Sequence, residues 1–155
     1  MSTLFHPNHT PEGSLLTSLM LEVFKANGAL LAAGDDLTRE IGLTSARWQV
    51  LGAIVMADEP RPVSYLARSM GLARQSVQRI VNDLLAEGFI GLRINPFHQK
   101  SRLVCLTEKG RKAYDAAIER EVPWSNRLAN RLSAQDISTA LTVLKSLRMR
   151  LEGEG

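Results

Sequence analysis

The fold is decided by the stretch from residue 61 to residue 106, RPVSYLARSMGLARQSVQRIVNDLLAEGFIGLRINPFHQKSRLVCL. Its apolar residues first repeat at the three- and four-residue steps of two helices, which Gly71 separates and Gly88 closes. Two strand-like runs follow at residues 89–94 and 102–106, on either side of a polar tip. This order of helix, tight turn, helix and hairpin predicts a winged helix-turn-helix, which offers DNA one helix for the major groove and one loop beside it.

The second helix of this stretch, at about residues 73–87, has two faces of opposite character. One face is an apolar stripe that is predicted to be buried: Val77, Ile80, Val81, Leu84 and Leu85. The other face carries side chains that bond to base edges and phosphates: Arg74, Gln75, Ser76, Gln78, Arg79 and Asn82. We predict that these residues contact DNA. Ser64, which is expected to cap the preceding helix, is a further candidate for DNA contact.

Positive charge is concentrated in this same stretch. Residues 61–102 contain seven basic residues and two acidic ones, a net charge of +5, whereas the whole chain carries only +3. Segregated positive charge on a groove-reading motif is typical of a nucleic-acid binder. The alternative is a solvated basic face without a partner, for which charge, turn chemistry and helix spacing would have to coincide by accident.

Four short motifs carry a resemblance to a known family: LA at residues 66–67, GLARQSVQRIVNDL at 71–84, GFI at 88–90 and LVCLTEKG at 103–110. Over roughly residues 43–150 the chain resembles the MarR family of bacterial transcriptional regulators. The resemblance implies a homodimeric, mostly helical repressor or activator that binds a pseudo-palindromic operator. Such regulators often release the operator when a small aromatic or phenolic molecule binds.

The wing departs from that family's usual pattern. The family's wing usually carries aspartate and arginine at its tip, whereas this chain has NPFHQK at residues 95–100. We expect Lys100 and Arg102 to supply the positive charge of the wing, and His98 is a third candidate for DNA contact.

Length and composition favour one domain of a soluble protein. The chain has 155 residues, of which 45% are hydrophobic and 23% charged, enough to bury a core. We expect no membrane span, because no apolar run approaches the roughly 20 residues required. No secretory signal is visible in the polar segment Met1–Gly13. Cys105 is the only cysteine, so an internal disulfide is impossible, and a structural thiol in the cytoplasm is the favoured interpretation.

The segments that flank the winged domain are predicted to be dimerisation helices. Apolar residues repeat at helical steps in residues 13–34 and 108–151, and at about 3.5-residue steps in the last helix, which suits a seam between helices. We therefore expect a homodimer, the alternative being a monomer whose terminal helices fold over its own core. The predicted interface residues are Leu16, Met20, Ile137, Leu141 and Leu144. Residues 1–12 are then a flexible tail and residues 35–107 the winged domain, in a mainly α fold with a small β-hairpin wing.

Two local expectations accompany this division of the chain. The Gly34-Asp35-Asp36 segment is expected to end the first helix and to cap a short second one. Pro123 is expected to interrupt the helix that follows the wing.

A small-molecule site is predicted at the junction of the dimerisation helices with the winged domain, where the resemblance points. Phe24, Arg47 and Trp48 would form an aromatic lining with one cation, suited to an organic acid. The alternative places both aromatic residues in the core and Arg47 on the surface.

An enzyme is not expected, because the chain shows no glycine-rich phosphate loop, serine elbow or metal-ligand cluster. His6 and His9 lie on a polar tail without carboxylate or cysteine partners, so we predict no metal site and no cofactor. The predicted function is a sequence-specific repressor that binds double-stranded DNA as a homodimer and is released by an aromatic or organic-acid effector. The alternative is an effector-independent architectural or partner-regulated winged-helix protein.

Overall fold

The computed structural model describes residues 6–153, and this part of the chain is mainly helical with one two-stranded antiparallel sheet. The elements are α1 (Pro11–Thr38), a short 3-10 helix (Arg39–Ile41), α2 (Ser45–Met56), α3 (Val63–Met70), α4 (Arg74–Ala86), β1 (Ile90–Arg93), β2 (Leu103–Leu106), α5 (Glu108–Ala129) and α6 (Ala134–Gly153). The chain forms two compact units, Met1–Ile118 and Glu119–Gly155. The predicted fold class is confirmed, although the first five residues of the predicted tail lie outside the described part.

The core of the first unit lies between α2, α3, α4 and the wing. Its buried side chains include Val50, Leu51, Leu66, Val77, Val81, Leu84, Ile90 and Val104. Ile80 packs against this core, so most of the predicted stripe of α4 is confirmed. The prediction is wrong for Leu85, which is 38% exposed. Leu85 lies on the flank of α4 that faces a groove beside the wing, where Leu92 and Arg102 also lie.

The turn between α3 and α4 is held by Gly71. Its backbone is left-handed, with φ 67° and ψ 29°, and its N–H bonds to the carbonyls of Ala67 and Arg68. The expected capping role of Ser64 is wrong: α3 begins at Val63, two residues earlier than a cap at Ser64 requires, and Pro62 occupies the N-cap position without a side-chain bond. Ser64 therefore lies inside the first turn of α3.

The first helix is longer than the sequence predicted. It continues through Asp35 and Asp36 to Thr38, because Asp35 is used elsewhere: its Oδ1 accepts a bond of 2.7 Å from the backbone N–H of Ser45 at the start of α2. The hydroxyl of Ser45 donates a bond of 2.6 Å to the carbonyl of Leu31. A Cβ at Gly34 would overlap that hydroxyl, so the glycine permits the close approach of α1 and α2.

The same helix bears on the expectation that the chain has no membrane span. By length and composition alone, a stretch within residues 11–41 with a mean hydropathy of 1.4 could cross a bilayer. Apolar residues and alanines raise this mean, but polar and charged residues interrupt them, so no continuous apolar run forms. Glu22 and Lys25 lie within the helix, and its C-terminal half is bonded to α2, which favours a helix covered by another protein surface.

The wing is a short antiparallel hairpin fixed to the segment before α3 and to the start of α5. Gly91 pairs with Cys105 and Leu92 with Val104, and the N–H of Val104 also donates to the carbonyl of Arg61 at 2.9 Å. At the exit of the hairpin, the hydroxyl of Thr107 donates to the carbonyl of Gly88 at 2.6 Å and accepts from the N–H of Gly110 at 3.1 Å. Thr107 therefore caps the N-terminus of α5.

In the second unit, Pro123 does not interrupt its helix, contrary to the prediction. The helix α5 runs from Glu108 to Ala129 with Pro123 inside it, and the hydroxyl of Ser125 donates to the carbonyl of Val122 at 3.1 Å. Proline removes only one donor of the helical ladder, so the helix continues when its neighbouring turns stay intact. The next helix, α6, begins with a side-chain cap, because Ser133 Oγ accepts a bond of 3.3 Å from the N–H of Asp136.

Candidate nucleic-acid interface

The outer face of α4 presents polar and basic side chains to solvent. Arg74, Gln75, Ser76, Arg79 and Asn82 are exposed and Gln78 is half-buried. Within residues 6–153, no ion pair engages Arg74 or Arg79. The amide of Gln78 donates to Asn82 Oδ1 at 2.9 Å, which holds these two side chains side by side on one ridge of the helix. The predicted base-reading face thus has both free cations and an ordered amide pair.

The wing and α4 share one groove of about 210 Å³. It brings together six of the predicted DNA contacts: Ser64, Arg74, Gln78, Asn82, Lys100 and Arg102. Residues Gln75 and Arg79 lie on the open side of α4, together with Arg74. Cations from two separate elements therefore face one concave surface, an arrangement that raises the local positive potential.

The tip of the wing is ordered by its own hydrogen bonds. The side-chain oxygen of Asn95 accepts from the N–H of Phe97 at 3.0 Å, and the N–H of His98 bonds to the Asn95 carbonyl at 3.3 Å. His98 does not line the groove, although it is exposed at this tip. The tip therefore stands as a separate projection beside the groove.

The C-terminal end of α4 is tied to both neighbouring helices. Arg47 Nη1 of α2 forms an ion pair with Glu87 Oε2 at 2.8 Å. Lys109 Nζ of α5 donates to the carbonyl of Glu87 at 2.6 Å and lies 4.4 Å from the centre of the Phe89 ring. The sequence did not predict the roles of Glu87 and Lys109, because their partners are distant in the chain. These contacts hold the C-terminal end of α4 against α2 and the start of α5.

Known proteins share both the sequence pattern and this geometry. The profile of the MarR family matches residues 41–101. The chain is also 36% identical over 139 residues to Rv2011c, an uncharacterized protein of Mycobacterium tuberculosis, and this match covers 90% of the chain and 96% of that protein. The chain belongs to the MarR family. It is accordingly a regulator of transcription with a DNA-binding winged helix, and the family resemblance predicted from the motifs is confirmed.

Solved MarR-type structures share the fold of this MarR-family chain. The regulator BldR from Sulfolobus solfataricus superposes with a TM-score of 0.78 at 20% identity, covering 92% of this chain and 99% of BldR. CouR from Rhodococcus jostii RHA1, bound to p-coumaroyl-CoA, superposes with a TM-score of 0.70 at 22% identity, covering 88% of this chain and 91% of CouR. The transcriptional activatory protein BadR from Rhodopseudomonas palustris is 24% identical over 110 residues, 70% of this chain and 63% of BadR.

The residues predicted to bind an effector in this MarR-family protein do not line the grooves described above. Phe24 is 74% exposed on α1, Trp48 packs against the core, and Arg47 is paired with Glu87. A groove of about 350 Å³ between α2 and α3 is lined instead by Gln49, Ala53, Met56, Ala57, Tyr65, Ser69 and Met70. The assignment of Phe24, Arg47 and Trp48 to a ligand stays a prediction.

The remaining predicted sites also have clear positions. The dimer-interface candidates Leu16, Ile137, Leu141 and Leu144 are 36%, 45%, 51% and 37% exposed, and Met20 is half-buried. The thiol of Cys105 is half-buried and donates to the carbonyl of Gly91 at 3.4 Å. The rings of His6 and His9 are 6.4 Å apart, and residues 6–153 contain no group of three potential metal ligands.

Proposed function

We propose that this protein is a cytoplasmic, homodimeric repressor that reads a pseudo-palindromic operator with α4 and releases it when a small aromatic or organic acid binds. The observation that carries this proposal is the groove between α4 and the wing. It combines base-reading side chains with cations from two elements, and none of the residues that line it is acidic. That combination suits a groove of duplex DNA better than a protein partner, whose surface would offer both signs of charge.

The exposed residues of α4 are suited to different parts of the operator. Arg74 and Arg79 can bond bidentately to guanine, and Gln75 can do so to adenine. The bond between Gln78 and Asn82 orients both amides before DNA arrives, so less side-chain freedom is lost on binding. Lys100 and Arg102 of the wing supply phosphate contacts, which position α4 but do not read sequence.

Dimerisation is supported by the apolar surface of each unit taken separately. In the first unit, Leu15, Phe24 and Leu30 of α1 are 61%, 74% and 58% exposed. In the second unit, none of the residues of α6 is buried by the described chain, although its apolar residues repeat as in a helix seam. Apolar surface of this extent marks a protein interface, and a second copy would cover both sets in the same way.

A two-fold dimer gives the operator its form. Two copies of α4 reach successive major grooves when they are about 34–36 Å apart, which is one turn of the double helix. The winged domain at residues 35–107 is then the reading part and the terminal helices are the dimerisation part. An effector acts only if it binds a dimer of different spacing more tightly than the DNA-bound form.

Release by an organic acid is supported by Arg47 and by a structural relative. CouR was solved with p-coumaroyl-CoA, an acyl thioester with an aromatic group and phosphates. In this chain Arg47 holds Glu87 at the end of α4, so an anionic ligand that competes for Arg47 would loosen that end. Phe24 is 74% exposed whereas Trp48 packs against the core, which favours the second candidate, an effector-independent regulator. A ligand-induced rise in melting temperature with loss of operator binding distinguishes the two.

The proposal is tested by selecting bound duplexes from a random DNA library at physiological salt. We expect enrichment of an inverted repeat. The Arg74→Ala variant should recover a repeat in which the base preference is weaker at one position in each half-site. A wild-type protein that enriches no sequence would contradict the proposal.

A further inference from the structure

We propose that Phe97 is an apolar wedge that enters the minor groove beside the α4 site and opens one base step there. This inference rests on the proposed function, because it requires the wing to lie on DNA. It assigns to the wing tip of this chain a role in reading DNA shape, in addition to the phosphate contacts of Lys100 and Arg102.

Phe97 is presented to solvent to an unusual degree. Its side chain is 95% exposed, and Ile94 beside it is 77% exposed. The hydrogen bond from the Phe97 N–H to Asn95 Oδ1, at 3.0 Å, holds the backbone at the start of the tip, and the Ser101 N–H bonds to the His98 carbonyl at 3.2 Å. Two consecutive turns thus hold an aromatic ring outward without any packing against the rest of the described chain.

The charge of the residues near Phe97 in the sequence indicates which kind of partner covers its side chain. Residues 88–107 contain Arg93, Lys100 and Arg102 but no aspartate or glutamate. Lys100 and Arg102 line the groove that the wing shares with α4, so the tip extends the DNA-facing surface at its edge. An apolar projection on a wing that carries cations but no acidic residue, beside a surface with base-reading side chains, fits a polyanion with an apolar interior, which is a base stack between two phosphate strands.

The chemistry of minor-groove recognition gives this side chain a specific role. Proteins that bend DNA insert Phe, Leu, Ile, Met or Pro between base pairs from the minor groove, and the cations beside the wedge hold the two backbones. Pyrimidine–purine steps open most easily, so the wedge selects for such a step at a position that no polar side chain contacts. The operator should therefore contain a preferred TA or CA step outside each half-site read by α4.

The test uses the full-length protein and a duplex recovered from the random library. The duplex carries a fluorophore at each end to report bending, and 2-aminopurine at the step flanking one half-site to report unstacking. The variants are Phe97→Ala, which removes the wedge, and Phe97→Leu, which keeps an apolar one. The control is Met56→Ala, which removes another apolar side chain that is 78% exposed, on α2.

We expect Phe97→Ala to reduce operator affinity on the order of tenfold, as for the removal of one stacking interaction with a base. It should also abolish the bend and the 2-aminopurine signal, while the half-site bases remain preferred. Phe97→Leu should retain part of both signals, and Met56→Ala should match the wild type.

Two results would overturn the proposed role of Phe97 while leaving the proposed function intact. The first is a Phe97→Ala variant that binds and bends the operator like the wild type. The second is a Phe97→Ala variant whose oligomeric state, measured by sedimentation, has changed. In the second case Phe97 would cover a protein surface. A wild-type protein that binds no duplex would overturn the proposed function and the wedge together.

Discussion

Gly110 places its backbone directly against the carbonyl oxygen of Phe89, where the wing returns to α5. A Cβ at this position would overlap that oxygen, which belongs to the backbone and cannot rotate away. The spacing of this glycine after Thr107 therefore has a physical reason: Thr107 closes the turn by its hydroxyl and Gly110 permits the close approach.

We expect Gly110→Ala to destabilise the protein by at least about 2 kcal/mol, because the strand or the helix must shift to admit the methyl group. The control is Gly52→Ala in α2, where a Cβ would lie 3.7 Å from the ring of Tyr114, an ordinary contact. The control should be neutral or stabilising by up to about 1 kcal/mol, because alanine favours the helix. Urea unfolding measures both; equal stability of the two variants would contradict this role of the glycine in the turn.

We propose that single side chains on α4 decide base preference. We expect Gln75→Ala to weaken binding to the selected operator by about 1–3 kcal/mol and to remove the preference at one base pair. Arg68→Ala serves as a control, since Arg68 is exposed on α3 and does not line either surface of α4. Competition binding against operators changed at each position gives the measurement. A variant that weakens binding to all sequences equally would show that Gln75 contacts the DNA backbone and not a base.

Residue-scale predictions from the sequence succeeded where one element determines the outcome. The left-handed position at Gly71 and the outward face of α4 follow from local spacing alone, and the structure shows both. The predictions failed at Ser64 and Leu85. The register of a helix start depends on the preceding proline, and the burial of a flanking leucine depends on a wing whose position the sequence pattern does not give.

At the scale of elements, we expect the wing to contact phosphates and α4 to contact bases. Lys100 and Arg102 are both exposed and bound to no acidic side chain among the described residues. Replacing Arg102 by glutamine should weaken binding to every duplex and reduce the slope of log affinity against log salt by about one unit for each phosphate that the side chain neutralises. Fluorescence anisotropy at several salt concentrations measures the slope.

The matched control for this experiment is Lys112→Gln on α5, since Lys112 forms an ion pair with Glu108 at 3.0 Å and lies outside the groove. Its slope should equal that of the wild type. A wild-type slope in the Arg102 variant would show that the wing does not contact phosphates.

Contacts between elements were the part of the site that sequence reasoning could not supply. The ion pair of Arg47 with Glu87 and the hydrogen bond from Lys109 to the Glu87 carbonyl join residues that are far apart in the chain, and no local pattern marks them as partners. The extension of α1 through Asp35 has the same cause, because the acid that would cap a new helix instead accepts from Ser45. Tertiary bonding overrode a local capping signal at this point.

At the scale of the whole molecule, we expect operator binding to require a second copy of the chain. Leu144 is 37% exposed on α6, where the spacing of apolar residues predicts a seam. We expect Leu144→Glu to convert the dimer to a monomer, because a charge in an apolar interface has no partner there. Operator affinity should fall at least about tenfold at the same time, since a single reading head makes half the contacts.

Ser146→Glu is the control, because its position on α6 lies away from that seam and it introduces the same charge. Sedimentation velocity and anisotropy on the same samples separate assembly from DNA binding. A dimeric Leu144→Glu variant with normal operator affinity would remove this helix from the interface.

We propose, above all, that the dimer holds its two copies of α4 one turn of the double helix apart. The most direct test of this claim is operator binding after five base pairs are inserted between the two selected half-sites. The insertion turns one half-site by roughly half a turn of the duplex, so one α4 would face away from its groove. We expect affinity to fall to that of a single half-site; unchanged affinity would contradict the claim.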